Sequence, residues 1–159
     1  MDEIYFPLCY PNDLYTFLIM PKLKTYDLFI SHAWRFSENY FQLEGLLRNV
    51  GNFKWRNYSV PVDEPIADPE SPVGKAKLTQ LLINQVKPVN CVIIIGDGHA
   101  GHSDWVIKEI EIAQVYNKPI LAIYPPNCKK LPEIVENAAH EIVHWEVSSI
   151  VNAIRKISL

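Results

Sequence analysis

The stretch Cys91-Val92-Ile93-Ile94-Ile95 decides the fold. Five apolar residues in a row, most of them β-branched, lack the alternation of a half-exposed strand. Such a run fits a strand covered on both faces, the usual condition of a parallel sheet with helices on either side. Working outward, residues 26–30 (YDLFI) and 119–123 (PILAI) repeat the pattern, and 58–60 and 141–143 are weaker candidates. Helical periodicity fills the intervals. Over 36–50 the apolar positions Tyr40, Leu43, Leu46, Leu47 and Val50 share one face. Similar stripes run over 75–86, 104–116 and 148–157. Gly51 is expected to stop the first helix and Ser148 to cap the last. Strands alternating with helices imply βαβ units with right-handed crossovers. The expected fold is a flavodoxin-like, doubly wound, five-stranded parallel α/β sheet of order 2-1-3-4-5. Residues 25–159 form this domain, and 1–24 are expected to be an arm of unknown role.

The bulk properties narrow the function. The 159 residues suffice for one domain with its own core. With 48% hydrophobic and 21% charged residues, the chain has the make-up of a globular protein rather than a disordered one. Net charge is −3 and no Lys/Arg block stands out, which argues against a nucleic-acid partner. No apolar run nears the ~20 residues of a membrane span, so no membrane partner is expected. Cys9, Cys91 and Cys128 have no metal-site spacing, alone or with the five histidines, and an unpaired count fits a reducing, cytoplasmic location. No metal and no cofactor are expected. The start, MDEIYFPLCYPN, lacks the pattern of a secretory signal.

In a sheet of this order, ligands bind beyond the carboxyl ends of the strands, where the first and third strands part. Two loops flank that point, 31–35 and 96–103. The second spells Gly96-Asp97-Gly98-His99-Ala100-Gly101, a literal G-x-G-x-x-G. A dinucleotide fingerprint also needs an acid about 20 residues on, at the end of the next strand, and a helix opening at the third glycine. The next strand instead runs into Ile123-Tyr124-Pro125-Pro126, and the helix is expected to open only after Ser103. The glycines are therefore read as loop. The first loop packs Ser31, His32, Ala33, Trp34 and Arg35 together. An arginine can meet phosphate and a tryptophan can stack on a base, but a capping serine and a structural tryptophan account for these residues equally well. Trp105 and Glu109 stand at i and i+4, one turn apart at the mouth of the same cleft and off the face that carries Val106 and Ile110. An ordinary amphipathic surface helix produces the same spacing. His140 and His144, beside the last strand, are read as structural.

Taken together, YDLFISHAW at 26–34 and Ser103-Asp104-Trp105-Val106-Ile107-Lys108-Glu109-Ile110 resemble two ordered signatures of TIR domains. With NYSVPVDEP at 57–65, NKPI at 117–120 and the end at 141–156, the chain resembles the prokaryotic TIR-like family that includes the ThsB proteins of Thoeris antiphage defence. The resemblance implies an NAD⁺-cleaving enzyme that releases nicotinamide and makes an ADP-ribose-derived signal, cyclic by expectation. It implies Glu109 as the catalytic residue and Trp105 beside it. The family's first loop maps its share of the substrate cleft onto Ser31, His32 and Ala33, to which the make-up of the loop adds Trp34 and Arg35. Ser103 and Trp105 are further substrate-binding candidates, with Asp63 and Asp68 from the family's second loop. Implied partners are NAD⁺ as substrate, other copies of the chain through TIR contacts, a phage-derived trigger, and a companion effector reached by the diffusible product. Two other readings stay open: a non-catalytic TIR interaction module, and a nucleoside deoxyribosyltransferase-like enzyme.

Overall fold

The computed structural model describes residues 24–31, 38–59, 71–96 and 103–158. Its elements follow in the order β1 (Thr25–Ser31), α1 (Glu38–Arg48), β2 (Lys54–Asn57), α2 (Pro72–Val86), β3 (Cys91–Ile95), α3 (Asp104–Val115), β4 (Ile120–Tyr124), α4 (Glu133–Ala138), β5 (Glu141–His144) and α5 (Val147–Ile157). The sheet order is β2-β1-β3-β4-β5 and every pairing is parallel, as the sequence pattern predicts. All five residues of β3 are buried, so the run that decides the fold is indeed covered on both faces.

Side-chain alternation sorts the core into two layers. Leu28 and Ile30 of β1 point to one face, where Leu43 and Leu47 of α1 and Ile150 and Ile154 of α5 cover them. Phe29 points to the other, against Leu78 and Leu82 of α2 and Val106 and Ile110 of α3. Each fully buried Leu or Ile contributes about 1.5–3 kcal/mol of burial free energy, which conformational entropy largely offsets. Among the described residues, no helix is long and apolar enough to cross a membrane.

Several boundaries differ from the sequence expectation. β2 is Lys54–Asn57 rather than 58–60, because an edge strand with mostly exposed residues needs no apolar run. Tyr58 and Ser59 continue its line: the Tyr58 amide donates to the Leu28 carbonyl (2.8 Å), and the Ile30 amide donates to Ser59 Oγ (2.8 Å). α2 opens three residues before the expected start, since Ser71 Oγ accepts from the Gly74 amide (3.0 Å) and a proline follows at the first helical position. Gly51 lies in the turn after α1 but not in a left-handed conformation. Ser148 does not cap α5. Glu146 holds the cap position, and the Ser148 and Ser149 hydroxyls donate to its carboxylate at 2.5 and 2.6 Å. α4, a short helix after Pro132, is an addition to the sequence reading.

His140 and His144 have the structural roles expected of them. His140 Nδ1 accepts from the Ile120 amide (3.1 Å), and His144 stacks on Tyr124 with ring centroids 4.8 Å apart.

Candidate active site

β1 and β3 are neighbours whose following helices cover opposite faces of the sheet, so the switch point lies where the sequence reading put it. Ser31 is the last residue of β1, in register with Ile94 of β3. By alternation it shares the face of Phe29, which turns it toward α3.

Local sequence fixes where α3 begins. Ser103 is extended and its Oγ accepts from the Val106 amide (3.4 Å), while Asp104 places a negative charge in the first turn. The helix stops at Asn117, which adopts a left-handed φ of 52°, and the Lys118 amide then closes onto the Ala113 carbonyl (2.8 Å). Its start beyond Ser103 agrees with reading the glycine loop as something other than a dinucleotide fingerprint. Gly96, the described glycine of that loop, has a packing reason to be glycine: a Cβ there would lie 2.1 Å from Leu131 Cδ2.

The carboxyl of Glu109 is not on a separate surface face. α3 is packed by the sheet and by α2 and α4, so its buried stripe is wide and takes in Val106, Glu109, Ile110, Ile112 and Ala113. Glu109 is 6% exposed and Ser31 2% exposed. Among the described residues they are the two buried polar side chains, and they meet: Ser31 Oγ donates to Glu109 Oε2 across 78 positions of sequence. Burial pushes the Glu109 carboxyl from its ordinary 4.5 up to about 8, against the opposing pull of the Ser31 hydrogen bond.

Trp105, one turn nearer the helix start, is half-buried. It lines a hollow of about 220 Å³ between α2 and α3 with Lys75, Thr79, Asp104 and Lys108. Glu109 does not line it. The indole lines the hollow, and the carboxyl of Glu109 turns inward to Ser31 of β1. Lys75, Thr79 and Lys108 were not singled out from sequence, because no local pattern states that α2 and α3 are neighbours. A larger hollow of about 690 Å³, between α3 and α4, has Ile107, Glu111 and Ile134 among its walls and holds neither member of the buried pair. The expected contributors His32, Ala33, Trp34, Arg35, Asp63 and Asp68 lie outside the described residues.

No curated protein matches the chain significantly. Among solved structures, it is similar to a 2-deoxyribosyltransferase from Bacillus psychrosaccharolyticus, with TM-score 0.57 and 13% identity over 79% of this chain and 90% of that one. It is also similar to a conserved protein from Enterococcus faecalis V583, with TM-score 0.52 and 14% identity over 84% and 99% of the two chains. At such identities the likeness bears on fold alone, and it agrees with the observed sheet. The family model described as the TIR-like domain of the Thoeris protein ThsB matches residues 29–130, a span from β1 to the loop after β4 that includes Ser31, Trp105 and Glu109. The chain therefore belongs to the family of the ThsB TIR-like domain.

Proposed function

We propose that the protein cleaves NAD⁺ at the bond between nicotinamide and ribose, using Glu109, and passes the ADP-ribosyl group on as a signalling product. The observation that carries this reading is the buried Ser31–Glu109 pair at the carboxyl end of β1. A fold under selection for stability alone gains little from a carboxyl in an apolar layer, where ionisation is penalised. A site that must stabilise a positive charge gains a great deal from one.

The chemistry follows from charge. As the C–N bond breaks, its electron pair moves to the pyridinium nitrogen and nicotinamide leaves neutral. The ribose carbon becomes oxocarbenium-like, a carboxylate beside it stabilises that cation as in glycoside hydrolysis, and a nucleophile within the ADP-ribosyl group then bonds to the carbon and gives up its proton to close the product. Burial pushes the carboxyl up to about 8, so it is mostly protonated at neutral pH. A cationic substrate next to it favours the charged form, so binding expels the proton and leaves carboxylate facing cation in a water-poor setting. Trp105 offers a flat surface for a ring, and Lys75 and Lys108 stand at the same hollow. Self-association, a phage-derived trigger and an effector that senses the product belong to this proposal as accompanying steps.

The test is to incubate the protein, alone and with extract of phage-infected cells, with NAD⁺ and follow nicotinamide by chromatography and mass spectrometry. Glu109→Gln is expected to lower release by about 10²–10³-fold. Absence of release from assembled or triggered wild-type protein defeats the enzyme reading in favour of an interaction module. Release undiminished in Glu109→Gln defeats the assignment of Glu109. A parallel arm with 2′-deoxynucleosides distinguishes NAD⁺ cleavage from a deoxyribosyltransferase-like reaction.

A further inference from the structure

We propose that Ser31 is a positioning residue for Glu109: its hydroxyl fixes the carboxyl at the β1–α3 contact and favours its charged form, and it does not itself bind substrate. This departs from the sequence expectation, which groups Ser31 with the substrate-binding residues, and it rests on the reading of Glu109 as the working carboxyl.

Three observations carry the inference. Ser31 lies at the end of β1 at 2% exposure, against 6% for the Glu109 that it meets, so of the two the serine is the deeper. Its Oγ donates to Glu109 Oε2, so the hydroxyl proton already has a partner. Ser31 also sits beside Phe29 on its face of β1, in a layer formed by Val106, Ile110 and their neighbours. An alanine or valine packs there at no polar cost. The serine is accounted for by the carboxyl it meets.

The chemical effect of the contact has a definite sign. A hydroxyl donating to a carboxylate stabilises the ionised form, and it opposes the burial that pushes Glu109 up to about 8. Among the described residues, few other groups compete for this role. On α3, Asp104 and Glu111 are exposed, and Lys108 pairs with Glu111 at 2.5 Å. On α2, Lys75 and Lys77 are exposed; β3 carries no charge, and Asp27 of β1 pairs with Arg56 at the opposite end of the strand. Among the described residues, the causes of the Glu109 shift are burial and the Ser31 hydrogen bond.

The experiment is a carboxyl NMR titration of the full chain labelled with ¹³C-glutamate, with the Glu109 resonance identified by its loss in Glu109→Gln. Ser31→Ala is expected to move the Glu109 midpoint upward from the wild-type value, and Ser31→Thr, which keeps the hydroxyl, to hold it near wild type. Should Ser31→Ala fail to fold, Ser31→Cys keeps the volume with a weaker donor and is expected to shift the midpoint the same way. No substrate is present, so this readout stands even if NAD⁺ is not cleaved. In turnover, Ser31→Ala is expected to lower kcat about tenfold with KM unchanged, and to move the acidic limb of the pH profile upward. An unmoved midpoint overturns the proposal, as does a raised KM with kcat intact.

Discussion

The layer of α1 and α5 and the layer of α2 and α3 cover opposite faces of one sheet, and among the described residues each has a core cluster of fifteen. Size therefore does not separate them. Content does: the first layer is closed by hydrocarbon and aromatic groups and the Cys91 thiol, with the Tyr40 hydroxyl at its rim accepting from Asn57 Nδ2 (2.7 Å). The second encloses a serine and a glutamate. One face is built to hold the sheet together. The other gives up part of that stability to keep a carboxyl in a low-dielectric setting, a compromise usual for functional sites.

Neutralising the carboxyl gives the largest expected effect. Glu109 has a folded pKa raised from 4.5 to about 8, so its penalty is absent below pH 4.5, grows as pH rises through that window, and is complete above it. Glu109→Gln is expected to stabilise the protein relative to wild type by an amount that widens from pH 4.5 to 8, on the order of 4 kcal/mol at the top. Denaturant unfolding across pH measures it, and a gap that does not change with pH breaks the contrast between the layers. Next comes the other face. Leu47 is fully buried, and Leu47→Ala is expected to cost about 2–5 kcal/mol while each folded molecule keeps its rate of nicotinamide release. A per-molecule loss comparable to that of Glu109→Gln means the first layer is not merely structural. Smallest is Ser103→Ala, which removes the cap of α3 and is expected to cost about 1 kcal/mol in the same unfolding assay.

Much of the architecture was legible because it follows from periodicity. The apolar run at β3 and the stripes on α1, α2, α3 and α5 suffice for a parallel sheet and its strand order. β2 was misplaced because Lys54, Trp55, Arg56 and Asn57 sit on an edge, where pairing rather than burial makes the strand. α4 was missed because six residues after a proline do not span two helical turns. The site was legible as a pair of signatures but not as a contact. Spacing on α3 put Glu109 near Trp105. What turns the carboxyl inward is the packing of α3 against β1, a meeting of residues 78 positions apart that no local pattern contains.

The Ser31–Glu109 contact also has a hereditary consequence. Each member makes the other tolerable: a lone glutamate there loses its hydrogen-bond donor, and a lone serine leaves a hydroxyl unsatisfied among hydrocarbon. A descendant that abandons the chemistry is under pressure to replace both with apolar residues, and one that retains it is under pressure to keep both. The two positions should therefore drift as a unit, so that a matched loss of Ser31 and Glu109 in a relative marks a lineage in which this buried contact has become ordinary core.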